Sequence, residues 1–138
     1  MRVGIAGYGL AGRYFHAPLL KGCGYEVVAI QTSNAERAGH ALEDFPHVNV
    51  VATIEELVAH KLDLVVVASA NLAHAEHAYA AINAGIPVVV DKPMGRTFAE
   101  TAEIISAGER AGVPVSTFFN RRWDSDALTI KKVLASGV

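Results

Sequence analysis

The chain has 138 residues, of which 51% are hydrophobic and 19% are charged, with a formal net charge of −2. That length predicts one domain, and the composition is that of a globular protein able to bury a core. Lysine and arginine form no cluster of the kind that binds nucleic acid, so no nucleic-acid partner is expected. The longest apolar run, residues 62–70, is interrupted by Asp63 and is too short to cross a membrane.

Targeting and redox features predict a cytoplasmic protein. No basic segment followed by an apolar stretch comes after Met1, so the sequence shows no secretory signal. The single cysteine, Cys23, cannot form a disulfide bond within the chain, which is typical of a reducing compartment.

Short apolar strands alternate with helical segments along the whole chain. The predicted strands cover residues 2–6, 26–31, 48–52, 62–68, 87–90 and 113–119. The first helical segment ends near residue 20, and the others cover 35–43, a short stretch after Thr53, 71–84, 97–112 and 124–136. Thr53 with Glu56, and Thr97 with Glu100, have the spacing of capping boxes at helix starts.

Strands and helices that alternate through short loops predict an α/β fold with a doubly wound parallel sheet. Two halves of this kind give the strand order 3-2-1-4-5-6 of the Rossmann fold. Ligands of such sheets bind beyond the carboxyl ends of the strands. The residues that follow each strand are therefore the candidates for function.

A glycine-rich turn follows the first strand and opens a helix. Gly7 allows the tight turn, Gly9 lets a pyrophosphate approach the backbone, and Gly12 lets the helix pack close to the strand. The free amides around Leu10 and Ala11, at a helix N-terminus, can bind the anion. The turn predicts dinucleotide binding; the alternative is a plain glycine-rich turn in an α/β fold.

The end of the second strand predicts which dinucleotide is bound. An acid there would bind the ribose 2′-hydroxyl of NAD, but Thr32 and Ser33 follow this strand instead. Hydroxyls do not repel a 2′-phosphate, and Arg37 in the next helix can pair with one. The prediction is NADP, with NAD as the alternative if Arg37 is only a solvated helix residue.

Segments rich in polar residues also end strands four, five and six, and we expect their residues to converge near the nicotinamide half of the cofactor. They are Ser69, Ala70, Asn71 and His74, then Asp91, Lys92 and Pro93, then Asn120 and Arg121. His74 is either a site residue or a simple first-turn residue of its helix. His77 lies three residues further on, but no third ligand accompanies the pair, so no metal site is expected.

Together these segments resemble the glucose–fructose oxidoreductase / inositol dehydrogenase family (Gfo/Idh/MocA) over essentially the whole chain. The resemblance rests on the glycine loop and on residues 68–74, 91–93 and 120–122. Within that family, the chain resembles the branch of NADP-dependent scyllo-inositol dehydrogenases at residues 7–12 and 15–18, at Thr32-Ser33, and at residues 120–126 and 129–132.

The resemblance implies the chemistry of the Asp91-Lys92-Pro93 segment. Lys92 would hydrogen-bond the hydroxyl of a sugar or polyol and help relay its proton during hydride transfer, and an ammonium there stabilises a developing alkoxide. Asp91 would face the cofactor ribose, and the Lys92–Pro93 bond would be cis. Three departures are Asp91 in place of the usual Glu, Ala70 in place of Pro, and Asn34 where NADP-using relatives often carry Arg.

The resemblance also implies a domain organisation. Residues 1–138 would form the dinucleotide-binding domain, with 123–138 as the helix leading to a C-terminal substrate domain absent from this chain. Such a chain would bind cofactor without turnover and would expose apolar surface that favours a homo-oligomer. The alternatives are a non-catalytic dinucleotide-binding module, such as a redox sensor or partner subunit, and a methyltransferase. Thr32, in place of the acid that usually ends strand two in methyltransferases, argues against the last.

Overall fold

Six parallel strands form one sheet in the spatial order β3-β2-β1-β4-β5-β6. The computed structural model describes residues 1–137. The strands are β1 (Arg2–Ala6), β2 (Glu26–Gln31), β3 (Asn49–Val51), β4 (Leu64–Val67), β5 (Val88–Asp91) and β6 (Val115–Phe118). The helices are α1 (Ala17–Gly22), α2 (Ala35–Asp44), α3 (Ile54–Val58), α4 (His74–Asn83), α5 (Phe98–Ala111) and α6 (Ser125–Ala135). The predicted Rossmann topology is confirmed.

Apolar layers cover both faces of the sheet, because alternate strand residues point to opposite sides. In β4, Val65 and Val67 pack into one layer and Val66 into the other. The first layer includes residues of α3, α4 and α5, and the second includes residues of α1 and α2. The continuous apolar run of β4 is therefore buried on both faces, as expected of a central parallel strand.

The two predicted capping boxes have different outcomes. At α3 the box is complete: Thr53 Oγ1 accepts from the Glu56 amide, and Glu56 Oε2 accepts from the Thr53 amide, both at 3.2 Å. At α5, Thr97 Oγ1 accepts from the Glu100 amide at 3.1 Å, but Glu100 binds Arg96 instead. The guanidinium of Arg96 draws this carboxylate away, since a charge-assisted hydrogen bond is the stronger one.

The helix predicted directly after the glycine loop is present and contains a π turn. Residues Gly12–His16 form a π-helical turn, in which the Ala17 amide donates to the carbonyl oxygen of Gly12. Helical hydrogen bonding begins at the loop itself, where the Arg13 amide donates to the Gly9 carbonyl oxygen at 2.9 Å, and α1 continues this helix from Ala17, with Pro18 directly after the π turn. A membrane-spanning length of apolar helix is not found among residues 1–137.

The last helix, α6, packs differently from the others. None of its described residues is buried. Asp124 precedes it but makes no side-chain cap, and its carboxylate pairs with Arg121 Nη2 at 3.2 Å instead. The helix therefore leaves the sheet with its apolar residues exposed.

Candidate functional site

The glycine loop lies between the carboxyl ends of β2 and β4. Gly7 has a φ of 94°, and its amide donates to the Gln31 carbonyl oxygen at 2.9 Å. A Cβ on Gly7 would lie 2.5 Å from the Ser69 Cα, and a Cβ on Gly12 would overlap the carbonyl oxygen of Gly7. Both positions therefore require glycine, because the neighbouring backbone lies too close to leave room for a Cβ.

Arg37 covers the glycine loop from the side of α2. A Cβ built on Gly9 would lie 3.6 Å from Arg37 Nη1. The guanidinium and the loop border a cleft of about 200 Å³. Its lining residues are Tyr8, Gly9, Leu10, Arg13, Tyr14, Glu36, Arg37 and His40. The sequence-predicted 2′-phosphate ligand Arg37 and the predicted pyrophosphate loop thus lie together.

The segment that follows β2 positions Arg37. Thr32 is buried, and its Oγ1 accepts from the Asn34 amide at 3.3 Å. Asn34 Oδ1 in turn accepts from the Arg37 amide at 2.9 Å and caps α2. Ser33 is exposed beside this cap. The side chain of Asn34 therefore starts the helix that carries Arg37, which gives a structural reason for an amide at that position.

A partly buried hydrogen-bond network that the sequence did not predict joins the glycine loop to the end of α2. The Tyr8 hydroxyl donates to Asp44 Oδ2 at 2.9 Å, and Arg13 Nε donates to the same oxygen at 2.8 Å. Burial raises the pKa of Tyr8, as does its hydrogen bond to Asp44. Burial also raises the pKa of Asp44, but the hydrogen bonds from Arg13 and Tyr8 outweigh it and hold that pKa below its usual value.

His74 connects the ends of β4 and β5. Its Nδ1 lies 2.8 Å from the Pro93 carbonyl oxygen, and its Nε2 lies 3.1 Å from the Ser69 carbonyl oxygen. The side chain is almost fully buried, at 1% exposure. Both ring nitrogens therefore face main chain, and His74 fixes the two turns that carry Ser69, Ala70 and Asn71 on one side and Pro93 on the other.

The Asp91-Lys92-Pro93 segment ends β5 at the same edge. The Lys92–Pro93 peptide bond is cis, which confirms the expectation from the resemblance. Asp91 Oδ1 accepts from the Lys92 amide at 2.8 Å. The Lys92 side chain is exposed and borders a cleft of about 470 Å³. The other lining residues are Phe119, Asn120, Arg121 and Arg122.

A 3₁₀ turn, Asn120–Trp123, follows β6 and forms the far wall of this cleft. Arg122 places its guanidinium 5.6 Å from the centre of the Phe119 ring, at cation–π distance. None of the residues of the turn is buried. Lys92, Asn120 and Arg121 thus meet at one open cleft, while the glycine loop and Arg37 meet at another.

Unpartnered buried polar atoms also lie at this edge. Within residues 1–137, the buried side-chain atoms without a hydrogen-bond partner are His16 Nε2, Ser69 Oγ and His77 Nδ1. Ser69 follows β4, and His16 lies beside the end of β5. Buried polar groups are normally paired, so these two atoms mark the edge as a place where a further polar contact can form. The described residues contain no cluster of three or more metal-ligating side chains.

The fold and this edge define a Rossmann-type nucleotide-binding domain. The model of the Gfo/Idh/MocA oxidoreductase family, described as an NAD-binding Rossmann fold, matches residues 1–119. The chain therefore belongs to the Gfo/Idh/MocA oxidoreductase family.

Named relatives and a solved structure support this family assignment. The chain is 42% identical to the scyllo-inositol 2-dehydrogenase (NADP(+)) IolW of Bacillus subtilis, over 99% of this chain and 38% of that protein. It is also 42% identical to the uncharacterized oxidoreductase YdgJ of Escherichia coli, over 100% of this chain and 40% of the relative. An NAD-binding protein from Listeria innocua superimposes with a TM-score of 0.90 at 29% identity, over 99% of this chain and 40% of that one. The chain thus spans about two fifths of the length of these relatives.

Proposed function

We propose that this chain is the cofactor-binding domain of an oxidoreductase that transfers a hydride between NADP and a sugar or polyol. The observation that carries the proposal is the position of Lys92 at the same sheet edge as the glycine loop, at the ends of β5 and β1. Relatives named as inositol dehydrogenases support a polyol as the substrate class.

The residues at this edge fit a dinucleotide. Gly9 leaves a space beneath Arg37 that a Cβ would fill. The buried Ser69 hydroxyl has no hydrogen-bond partner within residues 1–137. In our proposal the amides of Leu10 and Ala11 bind the pyrophosphate, and Thr32, Ser33 and Arg37 bind the 2′-phosphate of the adenosine. Gly7 and Gly12 keep the loop in this shape.

The other half of the edge would hold the nicotinamide. We assign Ser69, Ala70 and Asn71 to one side of it and Asn120 and Arg121 to the other. His74 and Pro93 fix the turns between these residues. Asp91 would accept a hydrogen bond from a hydroxyl of the nicotinamide ribose.

Lys92 is the proposed catalytic residue. When bound, the nicotinamide accepts or donates the hydride. The Lys92 ammonium would donate a hydrogen bond to the substrate hydroxyl oxygen, stabilise the negative charge that grows there as the C–H bond breaks, and take part in relaying the hydroxyl proton. Its open cleft gives a polyol access to this group.

Titration with reduced dinucleotides tests the proposal. Nicotinamide fluorescence should show that the chain binds NADPH at least about tenfold more tightly than NADH, because Arg37 adds a charge-assisted contact to the 2′-phosphate. Arg37→Ala should remove this preference, while Arg110→Ala, on the remote helix α5, should leave it unchanged. Tighter binding of NADH would overturn the cofactor choice, and binding of neither would overturn the function.

We further propose that residues 1–138 bind cofactor without oxidising a polyol, with residues 123–138 leading to a separate substrate domain. The proposal is supported by the share of the relatives' length that the chain spans. Incubation of the chain with NADP and inositol should therefore yield no reduced nicotinamide; robust turnover would refute this.

A C-terminal apolar surface is the proposed contact for that domain. It consists of the exposed residues Phe119, Trp123, Leu128, Ile130, Val133 and Leu134. An uncovered apolar surface of this kind promotes association, so we expect the chain to dimerise through it.

Size-exclusion chromatography with light scattering measures this association. The triple variant Trp123→Ser, Ile130→Ser and Leu134→Ser should shift the chain from dimer to monomer. Serine in place of Phe98, which is 89% exposed but lies at the start of α5, should not. A monomer at high concentration in the unchanged chain would contradict the proposal.

A further inference from the structure

His16 lies beneath the nicotinamide half of the proposed site, although it comes from the segment that follows the glycine loop. It is the last residue of the π-helical turn Gly12–His16. A π turn inserts one extra residue into a helix, and such turns are frequent at functional sites. The ring of His16 packs on that of Phe118, with centroids 4.3 Å apart. Because Phe118 pairs with Asp91 in the sheet, His16 lies against the adjoining ends of β5 and β6.

The Nε2 atom of His16 is buried and unpaired. The residue is 4% exposed, and this atom has no hydrogen-bond partner within residues 1–137. It faces Asp91 Oδ2, 3.9 Å away. That separation exceeds a hydrogen bond by about 1 Å, so a small side-chain movement would close it.

The two oxygens of Asp91 have different surroundings. Oδ1 accepts from the Lys92 amide, whereas Oδ2 faces His16. Burial lowers the pKa of His16, against the opposing effect of the Asp91 carboxylate, which favours the neutral ring. A neutral imidazole has one N–H, and in the Nε2–H tautomer it can donate to Oδ2.

We infer that His16 is a positioning residue, whose Nε2–H donates to Asp91 Oδ2 and fixes this carboxylate for the nicotinamide ribose. The inference rests on the proposed function, since it assigns Asp91 a ribose hydroxyl as its partner. With Oδ1 bound by the Lys92 amide and Oδ2 by His16, the carboxylate cannot rotate. Its remaining lone pairs then face the ligand in one direction, which is how a supporting hydrogen bond orders a binding group.

This role is tested by comparing NADPH with a nucleotide that lacks the nicotinamide ribose, and by a conservative variant of His16. His16→Phe keeps an aromatic ring against Phe118 but removes the donor. It should weaken NADPH binding by about tenfold, the value of a hydrogen bond to a charged group. Affinity for adenosine 2′,5′-bisphosphate, which lacks the nicotinamide ribose, should stay unchanged. His16→Gln, whose amide can reach the same place, should restore most of the NADPH affinity.

A double variant connects the effect to Asp91. Adding His16→Phe to Asp91→Asn should weaken NADPH binding no further than Asp91→Asn alone, because the two residues act through one contact. Thermal unfolding of each variant checks that its fold is intact.

Each other outcome has a definite meaning. Equal loss of affinity for NADPH and for the bisphosphate would overturn the inference, since His16 would then merely support the glycine loop. Unchanged NADPH binding by His16→Phe would overturn it as well. Binding of neither nucleotide by the unchanged chain would instead overturn the proposed function, and this inference with it.

Discussion

Alanine in place of Gly12 is expected to abolish dinucleotide binding and to lower the free energy of unfolding. The new Cβ would overlap the carbonyl oxygen of Gly7, an atom of rigid backbone that cannot move aside as a side chain can. Overpacking of this kind lowers the free energy of unfolding by about 3 kcal/mol. The loop amides would shift with the backbone, and loss of their contacts to an anion would reduce NADPH affinity by at least about 100-fold.

Two further glycines separate the effect on binding from the effect on folding. Gly9→Ala meets no protein atom closer than 3.6 Å, so its stability should be near that of the unchanged chain while its added methyl obstructs the ligand. Gly39→Ala, within α2, has no neighbour within 4 Å and should stabilise the chain by about 0.5–1 kcal/mol without altering binding. Chemical denaturation and NADPH titration measure the two quantities. Normal NADPH affinity in both Gly12→Ala and Gly9→Ala would contradict the assignment of the loop.

Lys92→Ala is expected to lower polyol turnover by about 10²–10⁴-fold in a form of the protein that also carries a substrate domain. The variant removes both the donor that stabilises the developing alkoxide and a member of the proton relay. Because the Lys92 side chain is exposed, NADPH affinity should change by no more than about fivefold. The measurements are kcat for inositol oxidation and the dissociation constant for NADPH.

Two substitutions serve as comparisons for Lys92. Lys92→Arg retains the positive charge but cannot release a proton, so it should restore binding of substrate and not its turnover. Lys132→Ala, on the exposed helix α6, should leave both constants unchanged. Turnover that survives Lys92→Ala would exclude this residue as the catalytic group. Absence of turnover with Lys92 intact would favour the non-catalytic dinucleotide-binding module instead.

The sheet and the gathering of the candidate site residues at one of its edges could be predicted because their signals are local. The buried run of β4, the glycine loop after β1 and the polar strand ends are each read from a few adjacent residues. The strand order follows from the general rules for parallel α/β sheets.

The features that the sequence did not predict depend on contacts between residues that are far apart in the chain. Tyr8 and Asp44 are 36 residues apart, and no sequence periodicity connects them. His16 lies in a segment that carries the family resemblance. No local sequence pattern, however, predicts the π turn that places it against Asp91 and Phe118. The second capping box is incomplete for a local reason instead, because Arg96, which directly precedes Thr97, binds the Glu100 carboxylate.

The network of Tyr8, Arg13 and Asp44 divides the sheet edge into a preorganised half and an open half. It joins the glycine loop to the far end of the helix that carries Arg37, so the adenosine side is ordered before any ligand arrives. The turn Asn120–Trp123, on the other side, has no buried residue to hold it. The entropy cost of ordering on binding therefore falls mainly on the Asn120–Trp123 side of the nicotinamide end. A dinucleotide should anchor by its adenosine phosphates first, and the reactive ring should settle afterwards.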